Sequence, residues 1–179
     1  EQLGVTPLGF STWPGPVGGQ PALVQLQSNG DLRLAPGATT VLARNIGSLG
    51  RTMGAGYAIT NDGSLLAYGP NASGQLGTGS TQSASGITAA AGFGPGALTA
   101  TVAAGGLNHG LARTSTGTVL AWGANDAAQL GQPATIAAQS TAVAVPGAPA
   151  ALAVAAGPFS SFLLTDTGQV FAWGSGSNG

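Results

Sequence analysis

The sequence predicts an all-β chain of about three to four four-stranded antiparallel sheets, arranged as the blades of a partial or assembly-completed β-propeller. Three observations predict it. The chain repeats itself at long intervals, each repeat is a β-hairpin by its turn chemistry, and the second strand of the hairpin is apolar on both faces.

The repeat emerges when the segments are aligned on their turn glycines. "ALVQLQSNGDLRLAPG" carries Gly30, "GYAITNDGSLLAYG" carries Gly63, "GLARTSTGTVLAWG" carries Gly117, and "SFLLTDTGQVFAWG" carries Gly168. The spacings are 33, 54 and 51 residues. Periods near 50 residues belong to propellers rather than to short-repeat solenoids. The turns read Asn29-Gly30, Asp62-Gly63, Thr116-Gly117 and Thr167-Gly168. Glycine there supplies the positive φ that a tight hairpin needs, and the flanking β-branched and aromatic residues suit strands.

The second strands decide how the hairpins stack. One face carries Leu65 with Ala67, Val119 with Ala121, and Val170 with Ala172. The other carries Leu66 with Tyr68, Leu120 with Trp122, and Phe171 with Trp173. A sheet with one wet face would alternate apolar with polar residues. These strands are therefore expected in sheets sandwiched between two others, with Leu66, Leu120 and Phe171 wedged against adjoining layers.

The first unit departs from the pattern. Arg33 stands where the later units have Leu66, Leu120 and Phe171, and Gln25 stands where they have Ala58, Ala112 and Leu163. We expect residues 1–49 to form a degenerate edge blade and residues 50–179 to hold three recognisable repeats, all within one structural domain.

The hairpins run on into a second shared phrase, "YGPNASGQLG" from Tyr68 and "WGANDAAQLG" from Trp122. Together these segments resemble the regulator-of-chromosome-condensation repeat, H-x-x-A-L-T-x-D-G-x-V-y-x-W-G-x-N-x-x-G-Q-L-G. The copies are "AGYAITNDGSLLAYGPNASGQLG" from Ala55, "HGLARTSTGTVLAWGANDAAQLG" from His109, and "SSFLLTDTGQVFAWG" from Ser160. The likeness is good over about 50–179 and poor over 1–49. It implies a β-propeller of four-stranded blades, usually seven of them. It further implies action through the rim: as exchange factors for small GTPases, as chromatin binders, or as secreted bacterial proteins that include β-lactamase inhibitors. The matched motif positions are Gly63, Tyr68, Gly69, Asn71, Gln75 and Gly77, then Gly117, Trp122, Gly123, Asn125, Gln129 and Gly131, then Gly168, Trp173 and Gly174. All are read as structural.

Two features separate this chain from the eukaryotic members. It is almost uncharged, and a family ring needs about twice its 179 residues. The opening "EQLG" and the closing "WGSGSNG" read as two halves of one phrase. Either the chain is a slice of a longer array, or the end of one copy completes the beginning of the next.

Composition narrows the function classes. Asp, Glu, Lys and Arg make up 5% of the residues, against about 25% in ordinary domains, and Lys is absent. A nucleic-acid ligand is not expected, because nothing here forms a basic stripe for phosphates. Low charge also weakens repulsion between copies, which favours self-association. Cys is absent, so disulfides and thiol chemistry are excluded. No apolar run reaches the ~18 residues of a membrane helix, so membrane insertion is not expected.

Candidate chemical groups are few. His109 is the only histidine, at a motif position held by Ala55 and Ser160 in the other copies. It reads as structural, since a general base needs an adjacent nucleophile and an orienting acid. Asp31, Asp62 and Asp166 sit at hairpin turns, Asp126 lies in a connecting loop, and Glu1 opens the chain. No catalytic pair, metal or cofactor is expected from them. Arg33, Arg44 and Arg51 lie within nineteen residues and read as solvated side chains or a small contact patch for an acidic partner. Arg113 replaces the apolar Ile59 and Leu164, which marks it for a partner contact or a buried ion pair. Asn71-Ala72-Ser73 matches a glycosylation acceptor, although the matching Asn125 favours a loop-bracing role.

The expected protein is a non-catalytic binding or scaffold module of a secreted or surface-exposed bacterial protein. It would contact a protein partner, or itself, through residues 78–97 and 132–150 on variable loops. A structural subunit joined head to tail is the alternative, and an enzyme is the least favoured reading.

Overall fold

The computed structural model describes residues 7–13, 22–34 and 40–176, and among these every regular element is a strand. The strands are β1 (Pro7–Trp13), β2 (Ala22–Gln27), β3 (Leu32–Leu34), β4 (Val41–Ala43), β5 (Ile46–Leu49), β6 (Arg51–Thr52), β7 (Gly56–Thr60) and β8 (Leu65–Gly69). They continue as β9 (Ala84–Ala89), β10 (Ala100–Gly105), β11 (His109–Thr114), β12 (Val119–Ala124), β13 (Ala138–Ala144), β14 (Ala153–Ala156), β15 (Ser160–Leu164) and β16 (Val170–Gly174).

The described strands form four sheets in chain order: β1-β2-β3-β4, β5-β7-β8-β9, β10-β11-β12-β13 with β6 added, and β14-β15-β16. Every pairing within a blade is antiparallel between successive strands; the exception is β6, which runs parallel to β10 through Arg51↔Ala104 and Thr52↔Gly105. Two backbone residues of the second unit thus stitch it to the innermost strand of the third. The fold is a partial propeller of four consecutive blades.

The hairpins follow from the turns. Gly30, Gly63, Gly117 and Gly168 all have φ between 81° and 85°, a region that costs an L side chain free energy. Strand pairing in register follows on both sides, as in Tyr57↔Ala67 and Leu111↔Ala121.

Alternation along the strands then builds the core. Tyr57, Ile59, Leu65 and Ala67 of the second blade point forward and pack on Ala103, Ala112 and Trp122 of the third. Leu111, Val119 and Ala121 of the third pack on Val154 and Leu163 of the fourth, with Trp173 against them. Val24, Leu26 and Leu32 of the first pack on Ile46 and Ala58 of the second, beside Leu66 and Tyr68. Each interface joins the forward face of one blade to the backward face of the next. Burying this hydrocarbon, at ~25 cal/mol per Å², is the main force holding the blades together.

The first unit forms a four-stranded sheet at one edge of the array. Three details differ from the sequence expectation. β5, within the span 1–49, belongs to the second sheet. The fourth sheet has three strands among the described residues. Phe171 is also 42% exposed, whereas Leu120 is 5% exposed and Leu66 is half-buried. The reason is local. Leu66 pairs with Ala89 and Leu120 with Ala144, on fourth strands that flank them. Phe171 pairs with Leu163 on one side, but no described fourth strand lies on its other side, and it lines an open cleft of about 270 Å³.

Candidate protein-interaction surface

The polar residues of the repeated phrase turn inward. Asn71 and Asn125 are both fully buried. Asn71 Nδ2 donates to the carbonyls of Ser80 at 2.9 Å and Gln82 at 2.8 Å, while Leu76 N donates to its Oδ1 at 2.8 Å. Asn125 repeats the arrangement, donating to Gln132, Pro133 and Ile136 carbonyls and accepting from Leu130 N at 3.0 Å. Each Asn is a plug that holds the loop leading to the fourth strand. With both amide protons engaged and no exposed surface, Asn71 offers no nitrogen to a sugar in the folded chain.

Gln75 and Gln129 act through two sets of atoms. Their Oε1 atoms accept from Ser73 N at 2.9 Å and Ala127 N at 2.8 Å, which shapes their own loops. Their main-chain oxygens clasp the following blade. Gln75 O accepts from Trp122 Nε1 at 2.8 Å and from the Tyr57 hydroxyl. Gln129 O accepts from Trp173 Nε1 at 2.9 Å and from Ser161 Oγ at 2.6 Å. The aromatic residues are therefore interface pins, with Tyr57 and Trp122 edge to face at 5.6 Å between ring centres. Burial pushes the Tyr57 hydroxyl far above its ordinary pKa, so it remains a donor.

His109 and Ser161 form a pair that the sequence did not reveal. His109 Nε2 and Ser161 Oγ are 3.1 Å apart, a distance suited to a base and a nucleophile. Their exposures are 1% and 0%, however, and the serine proton is committed to Gln129 O. Ser161 therefore accepts from His109 Nε2–H, which fixes the tautomer. No substrate can reach the hydroxyl without parting the third and fourth blades. Burial draws the His109 pKa from 6.5 down to about 4, against an opposing hydrogen bond to the Ser160 backbone.

Among the described side chains, Arg33 and Arg44 both lie near Asp31, and Arg113 belongs to the third blade. Arg33 pairs with Asp31 at 2.8 Å, and that hydrogen bond holds the Asp31 carboxyl below its usual range. Arg44 is exposed. The side chain of Arg51 lies outside the described residues. Arg113 makes no ion pair among the described residues. Its Nε donates to Ala151 O at 2.6 Å and its Nη1 to Thr101 Oγ1 at 2.7 Å. It is a further tie to the fourth blade; of the two roles expected for it, partner contact or ion pair, the second has no counterpart among the described residues. Asp62 is turned into its hairpin by Thr60 and Ser64, which lower its pKa. Asp126 is exposed and accepts from Gln129 Nε2 at 2.8 Å. Glu1 lies outside the described residues. Among the described residues, no three His, Asp or Glu side chains gather where a metal ion could bind.

What remains outward is loop and outer strand. Residues 79–83 and 133–135 are exposed, and the outer strands β9 and β13 are exposed or half-buried where their side chains are described. Much of segments 78–97 and 132–150 is therefore accessible among the described residues, while Ala90, Phe93 and Val145 turn toward the core.

Comparison with known proteins agrees with this geometry. The family model described as "Regulator of chromosome condensation (RCC1) repeat" matches residues 100–129 and 152–179. "Protein pim1" of Schizosaccharomyces pombe is 30% identical over 156 residues, covering 75% of this chain and 28% of that protein. Yeast RCC1 (Prp20), solved bound to Kap60, superposes with a TM-score of 0.76 at 17% identity, over 95% of this chain and 44% of that one. A second structure of Prp20p from Saccharomyces cerevisiae, reported with its binding to Gsp1p and histones, gives a TM-score of 0.73 at 17% identity. It covers 95% of this chain and 45% of that one. Human WBSCR16 gives 0.72 at 19% identity, covering 88% and 46%. The chain thus spans less than half the length of each of these relatives.

Proposed function

We propose that this chain, an array of regulator-of-chromosome-condensation (RCC1) repeats, works as a non-catalytic protein-binding module whose contact surface is the border formed by residues 78–97 and 132–150. The observation that carries this reading is the division of labour among side chains. The repeat's Asn, Gln, Trp, His and Ser groups are engaged in holding loops and blades together, whereas the exposed side chains at 79–83 and 133–135 belong to no core cluster. Two structural relatives are described with protein partners: Kap60 for one, Gsp1p and histones for the other.

The test is affinity capture from the source organism's extract, followed by quantitative binding of the recovered protein. Thr81→Arg and Thr135→Arg, at exposed side chains whose backbone the Asn71 and Asn125 plugs do not use, should together weaken binding at least about tenfold while leaving the unfolding midpoint unchanged. A partner that binds both forms equally would overturn the assignment of the border. Loss of a chemical activity in His109→Ala, with the fold intact, would overturn the non-catalytic reading.

We extend the proposal to an extracellular or surface-exposed bacterial location on composition alone, namely the absence of Lys and the 5% charged content. Fractionation of source cells with an antibody to the chain tests it. The head-to-tail assembly reading draws on the exposed apolar side chains of the fourth blade, Val170 and Phe162. Its difficulty lies at the other end. The outer surface of the first blade carries Gln25, Gln27 and the Arg33–Asp31 pair, which head-to-tail docking would press against hydrocarbon.

A further inference from the structure

Two neighbouring seams of the array are closed by one device with different chemistry. In each, a main-chain oxygen accepts two side-chain donors. Between the second and third blades, Gln75 O takes the Trp122 indole and the Tyr57 hydroxyl. Between the third and fourth, Gln129 O takes the Trp173 indole and the Ser161 hydroxyl. Tyr57 reaches its acceptor across Gly110, where a Cβ would lie 2.5 Å from the phenol oxygen. Ser161 stands at the position that matches Gly110, and it is joined by His109, whose Nε2 lies 3.1 Å from Ser161 Oγ. The earlier seam has Ala55 in the place of His109. Burial pushes the Tyr57 hydroxyl up, away from the acid range. One clasp is thus backed by an imidazole and the other by groups indifferent to acid.

The closed seam accommodates neutral His109 and not its cation. The ring is 1% exposed and lies against the Gly106 main chain, where a Cβ would stand 2.2 Å from Cε1 and 2.5 Å from Nδ1. The Gly157 carbonyl closes the same corner, 2.5 Å from that Cβ. Nε2–H serves Ser161, and Nδ1 has no hydrogen-bond partner. A second proton would place a buried charge there with an unpaired donor. The fourth blade faces the ring with Ser161 and the Ser160 main chain, and the 125–131 loop acts on it through the charge of Asp126. Ser160 and Asp126 favour the cation, and burial outweighs both. Water reaches Nδ1 only when the 157–161 loop moves away.

We propose that the seam between the third and fourth blades is an acid-opened joint: protonation of His109 parts Ser161 and Trp173 from the Gln129 loop, while the Gln75 clasp of the preceding seam stays shut. The seam lies inside the array, with described residues on both sides, and it uses no residue of segments 78–97 or 132–150. The sign follows from linkage. The closed form binds its proton near pH 4 and the hydrated form near 6.5, so opening grows as pH falls between these values, by about fiftyfold from pH 7 to pH 4.5.

The chain has no cysteine, so one introduced thiol reports on one seam. Ala121 and Ala67 occupy matching positions and are both 0% exposed, the first packed in the later seam and the second in the earlier. Labelling of Ala121→Cys by dithiodipyridine, taken relative to a free thiol at the same pH, should rise about fiftyfold from pH 7 to pH 4.5. Labelling of Ala67→Cys should stay unchanged, and adding His109→Gln to Ala121→Cys should abolish the rise. In the unsubstituted chain, the imidazole resonance of this sole histidine should titrate over the same interval, a readout that does not depend on how the variants fold. Equal rises at both cysteines, or a rise that survives His109→Gln, would overturn the proposal. So would a histidine that titrates while Ala121→Cys stays unlabelled, or no change at any of these sites down to pH 4.5.

Discussion

The indole nitrogen of Trp122 donates a 2.8 Å hydrogen bond to the main-chain oxygen of Gln75, a residue contributed by the preceding blade. Trp173 makes the same bond to Gln129 O one blade later. The two bonds differ in setting, since Trp122 is fully buried and Trp173 half-buried.

Trp122→Phe should cost about 2–3 kcal/mol, combining a lost buried hydrogen bond with the void left by a smaller ring. Trp173→Phe should cost about 1 kcal/mol, because water can reach part of its site. Urea unfolding of both variants checks the order. Equal losses would show that the clasp does not depend on burial.

Asn125 makes three donor contacts and accepts one backbone N–H from a position without solvent exposure. Asn125→Ala removes the Asn125 bonds to Leu130 N–H and to the Gln132 and Ile136 carbonyls, while Pro133 O keeps Ile136 N–H, and should cost about 3 kcal/mol. Hydrogen exchange should then accelerate at Leu130 first. A cost near zero would mean that water replaces the amide.

Ala128 adopts φ 60°, in the left-handed region, at the motif position where the preceding repeat has Gly74 with φ 78°. Relief of that strain, offset by the greater freedom of an unfolded glycine, predicts that Ala128→Gly stabilises the chain by about 0.5–1 kcal/mol. The reverse change is not its mirror image. A Cβ at Gly74 would lie 2.7 Å from Ser140 Cα, so Gly74→Ala should destabilise through a backbone clash as well as through strain. Thermal midpoints of the two variants should move in opposite directions.

His109 supplies the acid sensitivity. The unfolded chain titrates near 6.5 and the folded one near 4, so between these values the unfolded state binds the extra proton. Stability is full above pH 6.5, falls with pH, and levels off near pH 4, a total loss on the order of 3 kcal/mol. The depressed carboxyls of Asp31 and Asp62 act lower, as pH drops through the acid range below the ordinary carboxyl value of 3.8. Urea midpoints measured at pH 7 and pH 4.5 should differ less in His109→Gln than in the parent chain.

Much of this architecture is written locally, and that part was legible. A turn glycine, a strand apolar on both faces and a recurrent Asn-Gln-Leu-Gly phrase each reflect forces acting within about twenty residues. The clasp was half legible. Gln75 and Gln129 stood out by position, but the atoms that bind the next blade are main-chain oxygens, which any residue would carry. Ser161 was hidden because its aligned neighbours are Gly56 and Gly110, and its partner His109 is 52 residues away. The two-residue strand β6 has no periodicity to read. Phe171 looked like its buried counterparts because sequence position records the face of a strand, not whether another strand lies beside it.

The clasps all point one way: a loop is fastened by the sheet made after it. During synthesis that spatial order becomes an order in time. The Gln75 loop, braced by Asn71 and Tyr57, gains its tie to the next blade only when Trp122 has left the ribosome, and the Gln129 loop, braced by Asn125, gains its own with Trp173. Translation speed across each interval of about fifty residues thereby sets how long an unfastened loop is exposed to chaperones and proteases, and a pause inside a blade is more hazardous than a pause after its tryptophan.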